Sequence, residues 1–278
     1  MGSEGNRGAW QTMEMVVTVK AYPAISNKYG ESVCVAGVRT DGEAMELVRL
    51  FPVGFRDLAP EAQFRKYQRV KLRVRRGTTD RRPETWHPDL GSLELGPIID
   101  TAKGWRERWN LVSDLAGQYT TCEIRERAAK IGQNSTSLAL IKPADVSGVT
   151  VTPNPEFDPA TAAAAEAAAM PDLFQNEKQV LRAAPFRVQY DYRCEFRTCN
   201  GHSQSLIDWE VGVAGLRWRD GKAGTVKEQL KMKFYNQMCS SEKDVHFFIG
   251  NQHQNPGSFM VIGVFWPPRN SRPEGVLF

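Results

Sequence analysis

Between Arg193 and Glu210 the chain reads RCEFRTCNGHSQSLIDWE, which gathers two of its five cysteines, one of its four histidines and three carboxylates, Glu195, Asp208 and Glu210. Cys194 and Cys199 are spaced C-x4-C, and His202 follows at C-x2-H. Thiolate and imidazole are the donors that zinc takes in a tetrahedral shell, and such short intervals let one tight turn wrap a single ion. Gly201, just before His202, frees the backbone for an unusual φ. A closed structural site needs four ligands, and no second Cys/His pair follows at a standard interval. Cys239 is the expected fourth, ahead of His246, His253 or Asp208. Three protein ligands and a water would instead mark a catalytic zinc. The zinc-deaminase pattern, H-x-E followed by P-C-x-x-C, is absent. The competing reading is reduced cysteines and a histidine that merely pack. A structural zinc is the expectation.

Asp208 and Glu210 are two residues apart and cannot share one helical face. With His202 and Glu84 they are the candidate acids, bases or ligands of a metal-dependent hydrolase or nuclease acting on nucleic acid or a nucleotide. Asp208 also suits a helix cap. Glu228, Lys231 and Lys233 lie on a predicted helix, which departs from the D/E-x-K strand of one nuclease class.

A second chemistry lies in FRKYQRVKLRVRRGTTDRR, residues 64–82, with nine of the 36 basic and one of the 32 acidic residues. That leaves 27 basic against 31 acidic residues elsewhere, so this segment carries the whole positive balance of +4. Lys71, Arg73 and Arg75 would project from one face of a strand at about 7 Å intervals, a spacing suited to backbone phosphates. Arg65, Lys66, Arg69, Arg76, Arg81 and Arg82 widen the patch, and Trp86 with His87 could stack on a base. DNA or RNA is the expected partner. A solvated outer sheet face is the alternative, and residues 82–88 could equally line a small-molecule pocket with Glu84 as its acid.

These residues need elements to hold them. MVVTVKAY, ESVCVAGVRT, AMELVRLFPV, YQRVKLRVRR and LELGPII read as five short strands, with a hairpin over 31–53 turning at Asp41-Gly42. Strict alternation of Val70, Leu72 and Val74 with Lys71, Arg73 and Arg75 marks a half-buried strand. The pattern predicts an α+β protein whose N-terminal domain, 12–152, is a small β-barrel of OB, SH3-like or PUA-like kind. That domain also takes a helix capped by Thr101, a second helix over Thr121–Lys130 and a strand at SLALIKP. Residues 153–182, rich in proline and alanine, read as a linker or tethered helical spacer and as the domain boundary. The C-terminal domain, 183–278, reads as β-α-α-β-β, with its first helix starting at Ser203 or Ser205 and its second over Thr225–Cys239.

The 41% hydrophobic and 24% charged content is that of a globular protein, and no run of eighteen apolar residues could span a membrane. Sparse, odd-numbered cysteines and an N-terminus without an apolar leader point to the cytoplasm. Together VKAYPAISNKYGESVCVAG, VRLFPVGFRDL, DRRPETWHPD, YRCEFRTCNGH, IDWE and GVFWPP resemble a family of uncharacterised bacterial proteins of similar length. The resemblance covers most of the chain and implies a bacterial source, with no activity attached. A nucleic-acid-binding protein is the first expectation, a metal-dependent hydrolase or nuclease the second, and a protein-interaction scaffold the third.

Overall fold

The computed structural model describes residues 8–26, 28–77, 79–170, 178–219 and 225–271. The first sheet contains β1 (Gln11–Lys20), β2 (Ala24–Ser26), β3 (Gly30–Arg39), β4 (Glu46–Val53), β5 (Gln68–Arg75) and β6 (Thr85–Ile98), in the order β1-β5-β6-β4-β3-β2. β1 also pairs with β3, so five strands form a partly closed ring. Gly37 permits this closure, because a Cβ there would stand 2.2 Å from the Val16 carbonyl oxygen. The expected hairpin is β3–β4, and β5 alternates between buried and exposed residues as its sequence predicts. Met13, Val35, Leu50, Leu72, Val74 and Phe64 fill the ring.

After α1 (Arg106–Val112) and α2 (Thr121–Ile131), the second sheet gathers β7 (Leu138–Ile141), β8 (Pro143–Pro153), β9 (Phe186–Cys194), β10 (His202–Leu206), β11 (His246–Asn251) and β12 (Phe259–Phe265). Its order is β7-β11-β12-β10-β9-β8. The remaining helices are α3 (Pro159–Ala169), α4 (Trp209–Arg219) and α5 (Val226–Lys231), the last continuing into a π-helical turn over 232–237.

The two sheets share one connectivity. In each, a leading strand segment (β1, or β7 and β8 in succession) pairs antiparallel with both the second strand (β3, β9) and the fourth (β5, β11). The fifth (β6, β12) runs antiparallel to the fourth and parallel to the third (β4, β10). No repeat is visible in the amino-acid sequence, so this is a duplication of topology.

Four expectations change. Residues 138–153, assigned from sequence to the N-terminal domain, pair into the second sheet, because SLALIKP finds its partner in β11. The segment read as a helix from Ser203 is β10, paired with β9, and helix begins only at Trp209. The alternation was present there, but His202 and Gln204 occupy the buried positions where apolar residues signal a strand. The segment read as a linker or tethered helical spacer does contain a helix, α3, capped by Asp158, but it is packed rather than tethered, with small Ala165 and Ala169 buried as it lies beside β2 and β3. The helix expected from Thr101 begins after Trp105, which takes a left-handed φ of 68°.

Three cores result. One fills the ring, and one lies under α2, α4 and α5 against Tyr190, Phe247 and Val261. The third joins the two sheets: Val16, Val19, Ala36 and Val38 on the outside of the ring meet Trp109, Leu140, Phe248, Ile262 and Phe265. This burial explains why β1 and β3 lose their alternation. Among the described residues, no helix is long and apolar enough to cross a membrane.

Candidate metal centre and basic face

β9 ends at Cys194, β10 begins at His202, and the turn between them carries Cys199, whose amide donates to the Phe196 carbonyl. Gly201 takes a φ of +97°, as a residue free of a Cβ readily does. The fourth member is Cys122, in the first turn of α2. A capping box fixes that turn: Thr120 Oγ1 accepts from the Glu123 amide, and the Glu123 carboxylate accepts from the Thr120 amide. Tyr192 ties the helix to the sheet beside the cluster, with its hydroxyl 2.8 Å from Thr121 Oγ1 and donating to Gln204 Oε1.

The sulfurs of Cys122, Cys194 and Cys199 lie 3.5, 3.4 and 3.3 Å from His202 Nε2, and all four donor atoms lie within 4.8 Å of one another. Metal–sulfur bonds of 2.3 Å and metal–nitrogen bonds near 2.0 Å at tetrahedral angles put sulfur and nitrogen about 3.5 Å apart. The observed spacings are therefore the edges of a shell that could hold one metal ion. Without a cation, three sulfurs and a ring nitrogen would face one another with only weak S–H donors between them. Burial, reinforced by Cys194 and Cys199, pushes the Cys122 thiol up to about 12. Burial also opposes ionisation of Cys199, but hydrogen bonds from the backbone of Cys194 and Gly201 outweigh it and hold that thiol below its ordinary value. Burial, then the charge of Arg125, lowers His202 and keeps its imidazole neutral, the form that ligates.

The sequence-predicted ligands Cys194, Cys199 and His202 are thus brought together, while Cys239 is elsewhere, with its sulfur 3.8 Å from the Phe234 carbonyl oxygen. Cys122 carries no local spacing signal; only its place at a predicted helix start could have suggested it. The candidate carboxylates stand outside the cluster. Buried Asp208 accepts from Lys66 Nζ at 2.6 Å and from the Glu210 amide at 2.8 Å, opening α4 as a cap. Glu210 is exposed, with its carboxylate 3.3 Å from the same Lys66 nitrogen. Glu84 accepts from the amide and hydroxyl of Ser137, at 2.9 and 2.5 Å.

The basic segment divides. Arg82 is buried, paired with Asp80 at 2.6 Å and donating to the Asn251 carbonyl across the domain junction at 2.7 Å. Lys66 serves Asp208. Arg76 lies 3.6 Å over the Trp86 ring, and Trp86 is buried, so it is no exposed stacking surface. Arg76, Glu84 and Trp86 instead line a cavity of about 270 Å³ between the sheets. Lys71 pairs with Glu14 at 3.6 Å and Arg73 with Asp89, while Arg65, Arg69, Arg75 and Arg81 are exposed. The exposed aromatic of this face is Trp10, which sequence reasoning missed. Arg75 lies 4.7 Å and Arg73 5.9 Å from its ring, and His87 lies 6.3 Å away. Fully buried Arg49 was missed as well. It reaches from β4 to Thr85 Oγ1 and to the hydroxyl and carbonyl of Ser137.

Two family models match, both described as domains of unknown function: DUF8758 over residues 11–114 and DUF8757 over residues 117–278. The matches divide the chain between α1 and α2. No curated protein matches the chain.

Proposed function

The chain belongs to the DUF8757 family of domains of unknown function, and we propose that it is a cytoplasmic nucleic-acid-binding protein whose C-terminal domain is pinned by a structural zinc ion. The observation that carries the binding reading is exposed Trp10 flanked by Arg73 and Arg75 on the basic face of β5. A base stacked on an aromatic ring and phosphates held by neighbouring guanidiniums are the two elements of sequence-tolerant single-strand binding. The connectivity shared by the two sheets supports it: we read it as the OB type of small barrel, a scaffold that binds oligonucleotides. In the first domain Arg49 and its neighbours pack part of β4 against the second domain, which directs attention to the β5 side.

Three cysteines and a histidine at tetrahedral spacing suit zinc, and four protein ligands make a closed structural shell. The hydrolase alternative would need an open metal position and a free carboxylate. Asp208 and Glu84 are engaged elsewhere, which disfavours it.

Fluorescence anisotropy with labelled single-stranded DNA and RNA tests the binding reading. Affinity should fall steeply between about 50 and 200 mM salt. Trp10→Ala should weaken binding by about 1–3 kcal/mol if a base stacks there. Binding unchanged by both Trp10→Ala and Arg75→Glu would refute the assignment of this face.

A further inference from the structure

The ring is incomplete along one stretch of β4. Among the described residues β4 pairs with β6 only at Arg49 and Leu50, so Glu46, Leu47 and Val48 have no strand beside them on that side. β7 of the second sheet comes up instead, and the gap is the cavity of about 270 Å³. Buried Trp86, Leu138 and Leu140 line its depth, and exposed Met45, Glu46 and Gln118 line its outer part. The Arg49 amide donates across to the Glu84 carbonyl. Strand alternation therefore turns the amide and carbonyl of Leu47, two residues earlier, toward the same gap.

The charged groups of the cavity are unequally spent. Glu84 gives both oxygens to Ser137, and Glu46 holds Arg39. Arg76 is in no ion pair among the described residues. One of its terminal nitrogens donates to the carbonyls of Pro83 and Thr85, and its guanidinium lies 3.6 Å over the Trp86 ring, which leaves two nitrogens without a partner. The cavity also adjoins the exposed basic face. Arg75, which ends β5, lies 4.7 Å from the Trp10 ring, and the next residue is Arg76. Opposite, His87 pairs with Arg75 and lies 6.3 Å from Trp10, and the residue before it is Trp86.

We propose that this cavity receives one nucleobase, stacked on the Arg76 guanidinium and hydrogen-bonded at its edge by the Leu47 amide and carbonyl. The base can come from a free nucleotide or from a strand lying on the Trp10 face, and only the second source rests on the binding reading above. Guanidinium planes serve as stacking surfaces for splayed-out bases, whose edges then take hydrogen bonds. Leu138 and Leu140 give the apolar walls that a flat ring needs. A volume just under the usual range for drug-sized ligands suits a base better than a large cofactor. A simple carboxylate would use Arg76 and leave the Leu47 carbonyl unmet.

The test uses the full chain carrying Trp10→Ala, so that the outer ring does not contribute, with GMP, AMP, UMP and CMP as probes. Saturation-transfer NMR should show contact with the base protons. Adding Arg76→Ala or Arg76→Lys should cut that signal at least about fivefold, since the lysine keeps the charge but loses the stacking plane. Equal urea midpoints check that both variants fold. No transfer in the parent, or transfer unchanged in both variants, would overturn the proposal. Transfer kept in Arg76→Lys, or fully displaced by benzoate, would make the cavity an anion site and overturn it as well. With Trp10 in place, Arg76→Lys should weaken single-stranded DNA binding about tenfold, as loss of one stacked base does. DNA binding that needs Trp10 but ignores Arg76→Lys would refute entry of a base from the strand. DNA binding that ignores Trp10→Ala would instead refute the outer face, leaving the nucleotide result to decide the cavity.

Discussion

The sulfur of Cys122 faces the His202 ring nitrogen, whereas the sulfur of Cys239 faces a backbone carbonyl. Elemental analysis of purified variants should therefore separate them: Cys239→Ser keeps the bound metal ion, which we propose is zinc, while Cys122→Ser and Cys199→Ser lose it. Retention of metal in Cys122→Ser would dismantle the four-ligand site. Cys194, Cys199 and His202 were legible because a tight turn writes its ligands close together in sequence. Cys122 was not, because α2 brings it in from far along the chain and nothing in its own neighbourhood marks it. Arg82 makes a second residue-scale case. The local excess of positive charge pointed outward, but this guanidinium is buried and held by Asp80. Removing one partner of a buried pair leaves an uncompensated charge, so Asp80→Asn should cost about 3–5 kcal/mol in urea unfolding.

At the scale of elements, β5 was legible because period-two alternation survives wherever one face meets a core and the other meets water. β10 was hidden because two of its three inward side chains, His202 and Gln204, are polar, their burial supported by the cysteine cluster and by Tyr192. α4 depends on a different detail, the bare backbone at Gly212 against which the Tyr22 ring lies. A Cβ there would stand 2.0 Å from a ring carbon. Gly212→Ala should therefore destabilise the protein by about 1–3 kcal/mol or more, through forced displacement of the ring. Equilibrium denaturation reads this directly, and a loss below about 0.5 kcal/mol would mean that Tyr22 moves aside freely.

For the whole molecule, the governing fact is that each sheet completes the other's burial. The outside of the ring is apolar where it meets Phe248 and Ile262, and Arg49, Arg82 and Lys66 find their partners across the junction. Expressed as separate pieces, 1–116 and 117–278, the first should be insoluble alone and recovered soluble when the two are made together. A soluble, monomeric first piece would show that the junction is dispensable. The sequence carried no trace of the duplicated connectivity, since strand pairing constrains direction and order while leaving side-chain identity free within each face.

β8 and β9 pair from Pro143 opposite Cys194 to Pro153 opposite Phe186, with two register shifts on the way, so the chain that leaves β8 and returns to β9 takes an excursion where a hairpin needs only a turn. Along that excursion α3 lies beside β2 and β3, Arg56 donates to the Gln179 carbonyl, Tyr22 donates to that of Arg182, and Lys178 pairs with Glu31. The second sheet thus lends its hairpin to serve as a strap around the first. Removing one of its contacts, as Lys178→Ala removes the pairing with Glu31, should loosen the hold of one half on the other while the β8–β9 register stays as it is.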